Sequence, residues 1–264
     1  MRSEVYNVEP SNIYCADCLD IMPQIADNSV DMILCDLPYG TTSCKWDAII
    51  PFDKLWEQYN RIIKDNGAIV LFGKEPFSSR LRLSNIDMYK YDWIWVKNTK
   101  SNFMQANNQP LNNVELISVF GKGYARKIKD KVMMKYNPQF TEGVAYKIPK
   151  TIKTSGLFRE NHKNGTYMHY ERDTSKRFPY NIIHFNVDKT KIHPTQKPVE
   201  LLQYLIRTYT NENDVVLDNC MGSGSTIVAA IREKRQYIGI EKDEHFFDIA
   251  KRRIAAETSQ LSLF

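Results

Sequence analysis

A chain of 264 residues with 42% hydrophobic and 25% charged residues has the make-up of a globular protein, which excludes a collagen-like or low-complexity chain. No apolar stretch nears the ~20 residues of a membrane helix, and Met1-Arg2-Ser3-Glu4-Val5-Tyr6 lacks the apolar core of a secretory signal, so a cytoplasmic protein is expected. The net charge is +5, yet residues 122–177 hold fourteen Lys or Arg against five Asp or Glu, which puts +9 there and leaves −4 elsewhere; one basic segment on a mildly acidic body predicts a polyanionic partner, nucleic acid first.

Residues 11–15 read as a short strand ending near Asp17, and residues 18–25 as a short helical stretch with Leu19, Met22 and Ile25 on one face. Val30, Met32, Ile33, Leu34 and Cys35 then form a nearly continuous apolar run, the pattern of a strand buried on both faces of a parallel sheet. It stops on Asp36-Leu37-Pro38-Tyr39. In open α/β sheets the chemistry lies beyond the carboxyl ends of the strands, so an acid, a bend and an aromatic ring at that edge form a candidate reacting group. The polar loop over residues 40–47 is placed to act as a lid or a substrate surface.

Pro51 suits a first helical turn, and Phe52, Leu55, Trp56, Tyr59, Ile62 and Ile63 recur at helical spacing up to Gly67, a C-terminal stop. Residues 68–72 are expected as a buried strand, 77–83 as a helix, 89–96 as a strand, 98–113 as an Asn/Gln-rich loop and 114–120 as a further strand. Residues 122–179 break the pattern: periodicity is poor, and Tyr and Phe are interleaved with Lys. The pattern resumes at Ile192. Pro198 starts a helix with Leu201, Leu202, Leu205, Ile206 and Tyr209 on one face, and Val215-Val216-Leu217-Asp218 is a strand ending in an acid. Gly222-Ser-Gly224-Ser-Thr226 opens a helix to about Lys234, Tyr237-Ile-Gly-Ile240-Glu241 is a second strand ending in an acid, and Asp243 caps a last helix to about Glu257. Strand–helix alternation predicts an α/β fold, a sheet with helices on both faces. The expected organisation is one half of the main domain over residues 1–121, a basic insert over 122–185, the other half over 186–257, and a tail over 258–264.

Cys15, Cys18, Cys35, Cys44 and Cys220 are an odd, scattered set, so no disulfide framework is expected. Cys15-Ala-Asp-Cys18 has no second Cys/His pair at ligand spacing, and no metal is expected.

The succession strand, Asp218, Gly222-x-Gly224, helix, strand, Glu241 is the architecture of a nucleoside-cofactor site, with the second acid 23 positions after the first where about 20 is usual. Glycines let the backbone approach the ligand, and the second acid suits a ribose hydroxyl pair. Ile227 stands where a dinucleotide fingerprint has its third glycine, and no Gly-Lys-Ser/Thr occurs. Both facts favour a cofactor with adenosine but no phosphate.

Asp36-Leu37-Pro38-Tyr39, the Gly222-Ser-Gly224 loop and His193-Pro-Thr-Gln-Lys-Pro198 together resemble the amino-methylating (N6-adenine/N4-cytosine) DNA methyltransferases that use S-adenosylmethionine. Pro110-Leu-Asn-Asn-Val-Glu115 is similar to a segment between two motifs of that family. The order, catalytic tetrapeptide, then basic insert, then cofactor loop, is that of their circularly permuted β group. The resemblance implies a Rossmann-like methyltransferase sheet. It also implies that Asp36 accepts a hydrogen bond from the exocyclic amine of the target base, that the main-chain carbonyl of Leu37 accepts the other, and that Tyr39 stacks on the flipped base with Pro38 shaping the turn. Asp218 and the loop Met221, Gly222, Ser223, Gly224 and Ser225 are implied to hold the methionine part, Glu241 the ribose, and Asp17 and Cys18 the adenine. His193, Thr195 and Lys197 are implied on the cofactor's carboxylate side. Leu37 departs from the family, which usually has a first proline there.

A methyl group on a sulfonium is already activated, so the protein needs an oriented amine and an acceptor for developing charge rather than a covalent nucleophile. A carbon-5 cytosine enzyme would need a cysteine, usually in Pro-Cys, and no Pro-Cys occurs. Asp at the head of the tetrapeptide resembles the adenine N6 enzymes more than the cytosine N4 enzymes, which often carry Ser. Alternatives are an N4-cytosine enzyme, an RNA methyltransferase, or a DNA-binding relative without catalysis. Double-stranded DNA is the implied partner, with the basic insert as its recognition region and Asn102, Gln105, Asn107 and Asn108 as a second set of readers. The end Gln260-Leu-Ser-Leu-Phe264 resembles the peptide by which bacterial replication proteins bind the sliding clamp; the other reading is a tail folded on its own core. The family often forms homodimers, though no residue in the sequence demands one.

Overall fold

The computed structural model describes residues 7–40, 47–145, 175–188 and 196–261. Strand β1 (Asn12–Cys15) leads into the helical turn α1 (Cys18–Ile21), capped by Asp17, whose Oδ1 accepts from Leu19 N–H at 3.0 Å. Strand β2 (Val30–Cys35) is buried along its whole length. Next come α2 (Phe52–Ile62), β3 (Ile63–Gly73), α3 (Phe77–Ser84), β4 (Tyr89–Ser101) and β5 (Asn112–Phe120). After the short β6 (Thr141–Glu142), β7 (Lys176–Arg177) and β8 (Ile182–His184), the chain continues as α4 (Val199–Tyr209), β9 (Val215–Asp218), α5 (Ser225–Arg232), β10 (Gln236–Glu241) and α6 (Glu244–Leu261). No described helix is long and apolar enough to cross a membrane.

Two compact units are formed, Met1–Asn137 with Asn181–Phe264, and Pro138–Tyr180. In the second, β6 and β7 pair antiparallel and the rings of Phe140 and Phe178 meet at 4.8 Å. Residues 122–137, expected within the basic insert, belong to the first unit: Lys135 bonds Asp31 and Asp214, and Asn137 Nδ2 donates to Thr210 O at 2.9 Å.

In the first unit the described strands form one sheet in the order β1-β10-β9-β2-β3-β5-β4-β8. Neighbours from β1 to β3 are parallel, and β5 runs antiparallel to β3 and β4. Successive side chains of β2 serve two cores. Ile33 and Cys35 pack with Leu55, Tyr59 and Ile62 of α2, while Met32 and Leu34 pack with Leu202 and Leu205 of α4 and Val228 of α5. Each fully buried aliphatic or aromatic side chain contributes roughly 1.5–3 kcal/mol. The helix after β2 therefore lies on one face and the helix after β9 on the other. Between these adjacent strands the winding reverses, which is where open α/β sheets bind ligands.

Three elements differ from the sequence expectation. Helix α2 stops at Ile62 instead of running to Gly67, because Ile63 is extended (φ −72°, ψ 135°) and pairs with Val30. Gly67 lies inside β3, and a Cβ there would sit 2.8 Å from the Asp31 carbonyl oxygen, so it serves a close strand approach. The Asn/Gln-rich stretch is less of a loop than expected: β4 continues to Ser101, which pairs with Asn112 of β5. Only the tip turns, through Asn102 at φ 70° and one 3₁₀ turn over Phe103–Gln105. Helix α6 passes the polar break at residues 257–259, where Thr258 Oγ1 donates to Ile254 O (3.0 Å) and Ser259 Oγ to Ala255 O (2.9 Å); such back-bonding lets hydroxyl residues stay helical. Gln260 and Leu261 are thus helical, and residues 262–264 lie outside the described set.

Candidate active site

The carboxyl ends of the parallel strands carry a row of acids. Asp36 follows β2, Asp218 ends β9, Glu241 ends β10 and Asp17 follows β1 by one turn. All four line one cleft of about 890 Å³. Leu37, Pro38, Tyr39, Cys18, Met221, Gly222, Ser223, Ser225 and Lys197 line it too. Gly224 does not; it supports the loop from behind, where a Cβ would sit 3.1 Å from Ala250 Cβ of α6. His193 and Thr195 lie outside the described residues, as does most of the expected lid over residues 40–47.

At one end of the cleft both oxygens of Asp36 are engaged. Oδ1 accepts from Tyr39 OH at 2.5 Å and Oδ2 from Lys197 Nζ at 2.6 Å. Lys197 Nζ also lies 3.0 Å from Glu115 Oε1, to which Tyr39 OH is 3.1 Å, and Lys97 bonds the other Glu115 oxygen. The turn is braced by Asp47, whose Oδ1 accepts from Tyr39 N–H (2.8 Å) and Gly40 N–H (3.0 Å). Burial pushes the Asp36 carboxyl up; Lys197 pulls it down, Glu115 pushes it up again, and the net shift is upward. Burial also works to raise Glu115, but Lys197 and Lys97 outweigh it and hold that carboxyl low. Burial would lower Lys197, but Asp36 and Glu115 keep its ammonium charged. The Tyr39 ring packs 4.9 Å from that of Phe77.

At the other end, Gly222 (φ 52°) and Gly224 (φ 77°) turn the chain from β9 into α5 through the left-handed region that glycine tolerates. Asp218 Oδ1 accepts from Cys220 N–H at 3.1 Å. Burial pushes its carboxyl up to about 6, against the pull of the Thr226 hydroxyl and the Cys220 N–H. Glu241 accepts from Gly222 N–H and Asp243 N–H, each at 2.8 Å, and burial raises it as well. This end carries Asp17, Asp218, Glu241 and Asp243, and its lysine, Lys242, is paired with Asp17 at 2.8 Å. Carboxylates only accept hydrogen bonds when ionised. The set therefore repels a diphosphate and suits hydroxyl and ammonium donors on a positively charged, phosphate-free nucleoside.

Lys197, expected on the cofactor's carboxylate side, lines the cleft and reaches its other end. Its ammonium bonds Asp36 and Glu115, because the segment before α4 brings it against β5. Sequence reading also gave no role to Glu115, Lys97, Asn219 or Arg253. Asn219 Oδ1 accepts from Tyr59 OH at 2.6 Å, and Arg253 donates to Ser225 Oγ at 2.8 Å and Ser223 O at 3.2 Å, so both brace the glycine loop. Glu115 had a readable signal: it is the one charged residue in the strand Asn112–Phe120, and it is buried.

A family model described as a DNA methylase, of the N6/N4 class, matches residues 30–252. The type II methyltransferase M.HpaI of Haemophilus parainfluenzae is 25% identical over 260 residues, covering 93% of this chain and 74% of that protein. Among solved structures, the M1.HpyAVI–SAM complex superposes with a TM-score of 0.59 at 24% identity, over 92% of this chain and 98% of that one. The PvuII cytosine-N4-specific DNA methyltransferase superposes at 0.62 with 16% identity, over 95% of both. These structural likenesses show a shared fold.

Proposed function

We propose a reaction on the premise that the chain belongs to the N6/N4 amino-methylating DNA methylases: transfer of a methyl group from S-adenosylmethionine to the exocyclic N6 amine of adenine in a short double-stranded DNA site. The observation that carries it is that Asp36 and the acids of the cofactor end line one cleft at adjoining strand ends. The family is S-adenosylmethionine-dependent, and the acid-lined end of the cleft fits that group. When bound, it supplies a methyl group on a sulfonium, open to an amine lone pair, with the sulfur leaving as a neutral thioether.

The chain's own residues do the rest. Asp218 and the loop over residues 221–225 hold the amino-acid part, Glu241 the ribose, and Asp17 with Cys18 the adenine side. Asp36 accepts one N–H of the target amine and the Leu37 carbonyl the other, which orients the lone pair. The Asp36 carboxylate offsets the positive charge that grows on nitrogen and then holds the proton it loses, a task suited to a carboxyl with a raised pKa. The base must leave its stack to reach this depth, and Tyr39 offers it an aromatic face.

Asp36 at the head of the tetrapeptide supports adenine over cytosine. Residues 122–185 are the proposed recognition region, with the lysines and arginines that follow Asn137 on phosphates. A sliding clamp remains a proposed second partner for Gln260–Phe264, and it requires the end of α6 to unwind. Equal clamp binding by the full chain and by one ending at Ser259 removes that partner. The reaction is tested by transferring labelled methyl groups into duplex DNA and digesting to nucleosides. N6-methyladenine is expected. N4-methylcytosine alone overturns the choice of base, label in RNA but not DNA overturns the substrate, and saturable cofactor binding without transfer to either overturns the activity.

A further inference from the structure

The cofactor does not account for Lys197 and Glu115, two buried charges of opposite sign beside Asp36. A buried charge without a partner is costly. Asp36, Lys197, Glu115 and Lys97 form a chain of alternating sign, and the set is neutral as a whole. Lys197 stands between two acceptors, 2.6 Å from Asp36 Oδ2 and 3.0 Å from Glu115 Oε1. It can release the first without losing the second. An amine arriving at Asp36 competes for an oxygen that Lys197 now engages, and Glu115 provides the ammonium with a second acceptor.

Resting on the assignment of Asp36 as acceptor of the target amine, we propose that Lys197 and Glu115 are positioning residues for Asp36 that act in opposite senses: Lys197 holds its carboxylate charged and aimed until a base enters, and Glu115 retains the ammonium when the amine takes its place. The groups facing Asp36 are Lys197 from the lead into α4, Glu115 from β5, Tyr39 from its own turn, Cys35 of β2 and Asp218 of β9, with Lys97 of β4 behind Glu115. Lys197 lowers the Asp36 carboxyl and Glu115 raises it, so their removal has opposite effects. A purely structural role for either would not produce that split.

The test is the pH dependence of methyl transfer with Lys197→Met, Lys197→Arg, Glu115→Gln and Asp36→Asn in the full chain, alongside calorimetric titration with S-adenosylmethionine. Lys197→Met is expected to move the acid limb of the rate profile upward by about one pH unit or more, and Glu115→Gln to move it downward, since a charge within a few ångström shifts a carboxylate by that much. Lys197→Arg restores the wild-type limb, and cofactor affinity stays within about twofold throughout. Limbs that do not move, or that move the same way, overturn the proposal. So does a loss of cofactor affinity in Lys197→Met that matches its loss of rate, which would put the lysine on the cofactor. If Lys197→Met does not fold, Glu115→Gln decides: a downward shift supports the proposal and no shift overturns it. Wild-type transfer by Asp36→Asn overturns instead the assignment of Asp36.

Discussion

Ile33 of β2 lies directly across from Leu217 of β9. Because the two strands are parallel, this register sends Asp36 and Asp218 out of the same edge of the sheet, although they come from opposite halves of the chain. Both line one cleft. A methyl acceptor beside Asp36 and a methyl donor beside Asp218 would then share a floor made of two neighbouring strands, and the order in which the chain supplies those strands has no bearing on the geometry.

The role proposed for Asp218 predicts a cofactor affinity that depends on pH. Its carboxyl is pushed up to about 6 by burial, and the ionised form holds an ammonium group through a charge-assisted hydrogen bond that the protonated form cannot match. Affinity for S-adenosylmethionine therefore rises with pH through about 6 and then levels off. Calorimetry is expected to find binding about tenfold weaker at pH 5 than at pH 7.5. Glu241, raised by burial as well, adds in the same direction. Asp218→Asn removes most of the slope, and a flat wild-type profile would remove the role given to Asp218.

Gly224 carries a positive φ of 77° with Ala250 behind it. Alanine there must adopt the left-handed conformation, at about 1–2 kcal/mol, and must also press its Cβ on α6. Gly224→Ala is expected to lower the melting temperature by a few degrees and to weaken cofactor binding, because Ser225 and Ser223 are held by Arg253 from the same helix. Thermal unfolding with and without cofactor checks both effects.

Asp31 supports the sheet away from the site. Its carboxylate is 2.6 Å from Lys64 Nζ and 3.3 Å from Lys135 Nζ, and it accepts from Val215 N–H of β9 at 3.1 Å. Burial works to raise its pKa, but Lys64, the Val215 N–H and Lys135 outweigh burial and hold it low. A depressed folded-state pKa gives stability that is present above the unfolded value near 4 and is lost as pH falls through the folded one. Asp31→Ala should cost about 1–3 kcal/mol at neutral pH, because it leaves the buried Val215 N–H without its acceptor and takes a carboxylate from Lys64, while Lys135 keeps Asp214. Chemical denaturation should show that cost shrinking as the pH is lowered.

Much of this arrangement was legible because buried parallel strands read as unbroken apolar runs, and the acids that end them stand out. Asp36, Asp218 and Glu241 were visible in that way, as was the glycine turn between two of them. What was not legible depends on partners far along the chain. The apolar spacing from Phe52 to Ile63 suits a helix throughout, and only pairing with Val30 turns Ile63 into a strand residue. The Asn-rich stretch has the composition of a loop, yet Ser101 pairs with Asn112. Lys197 sits in a motif tied to the cofactor, and only the fold brings it against Glu115 and Asp36.

In the proposed reaction the Asp36 carboxylate takes the amine that receives the methyl group. The direct measurement is labelled methyl transfer into duplex DNA by the wild type and by Asp36→Ala, with cofactor affinity measured on the same preparations. Transfer by Asp36→Ala is expected to fall at least about a hundredfold, given that removing a preorganised stabiliser of transition-state charge costs roughly 10²–10³ in rate, while S-adenosylmethionine binds as before. Transfer by Asp36→Ala at the wild-type rate would contradict it.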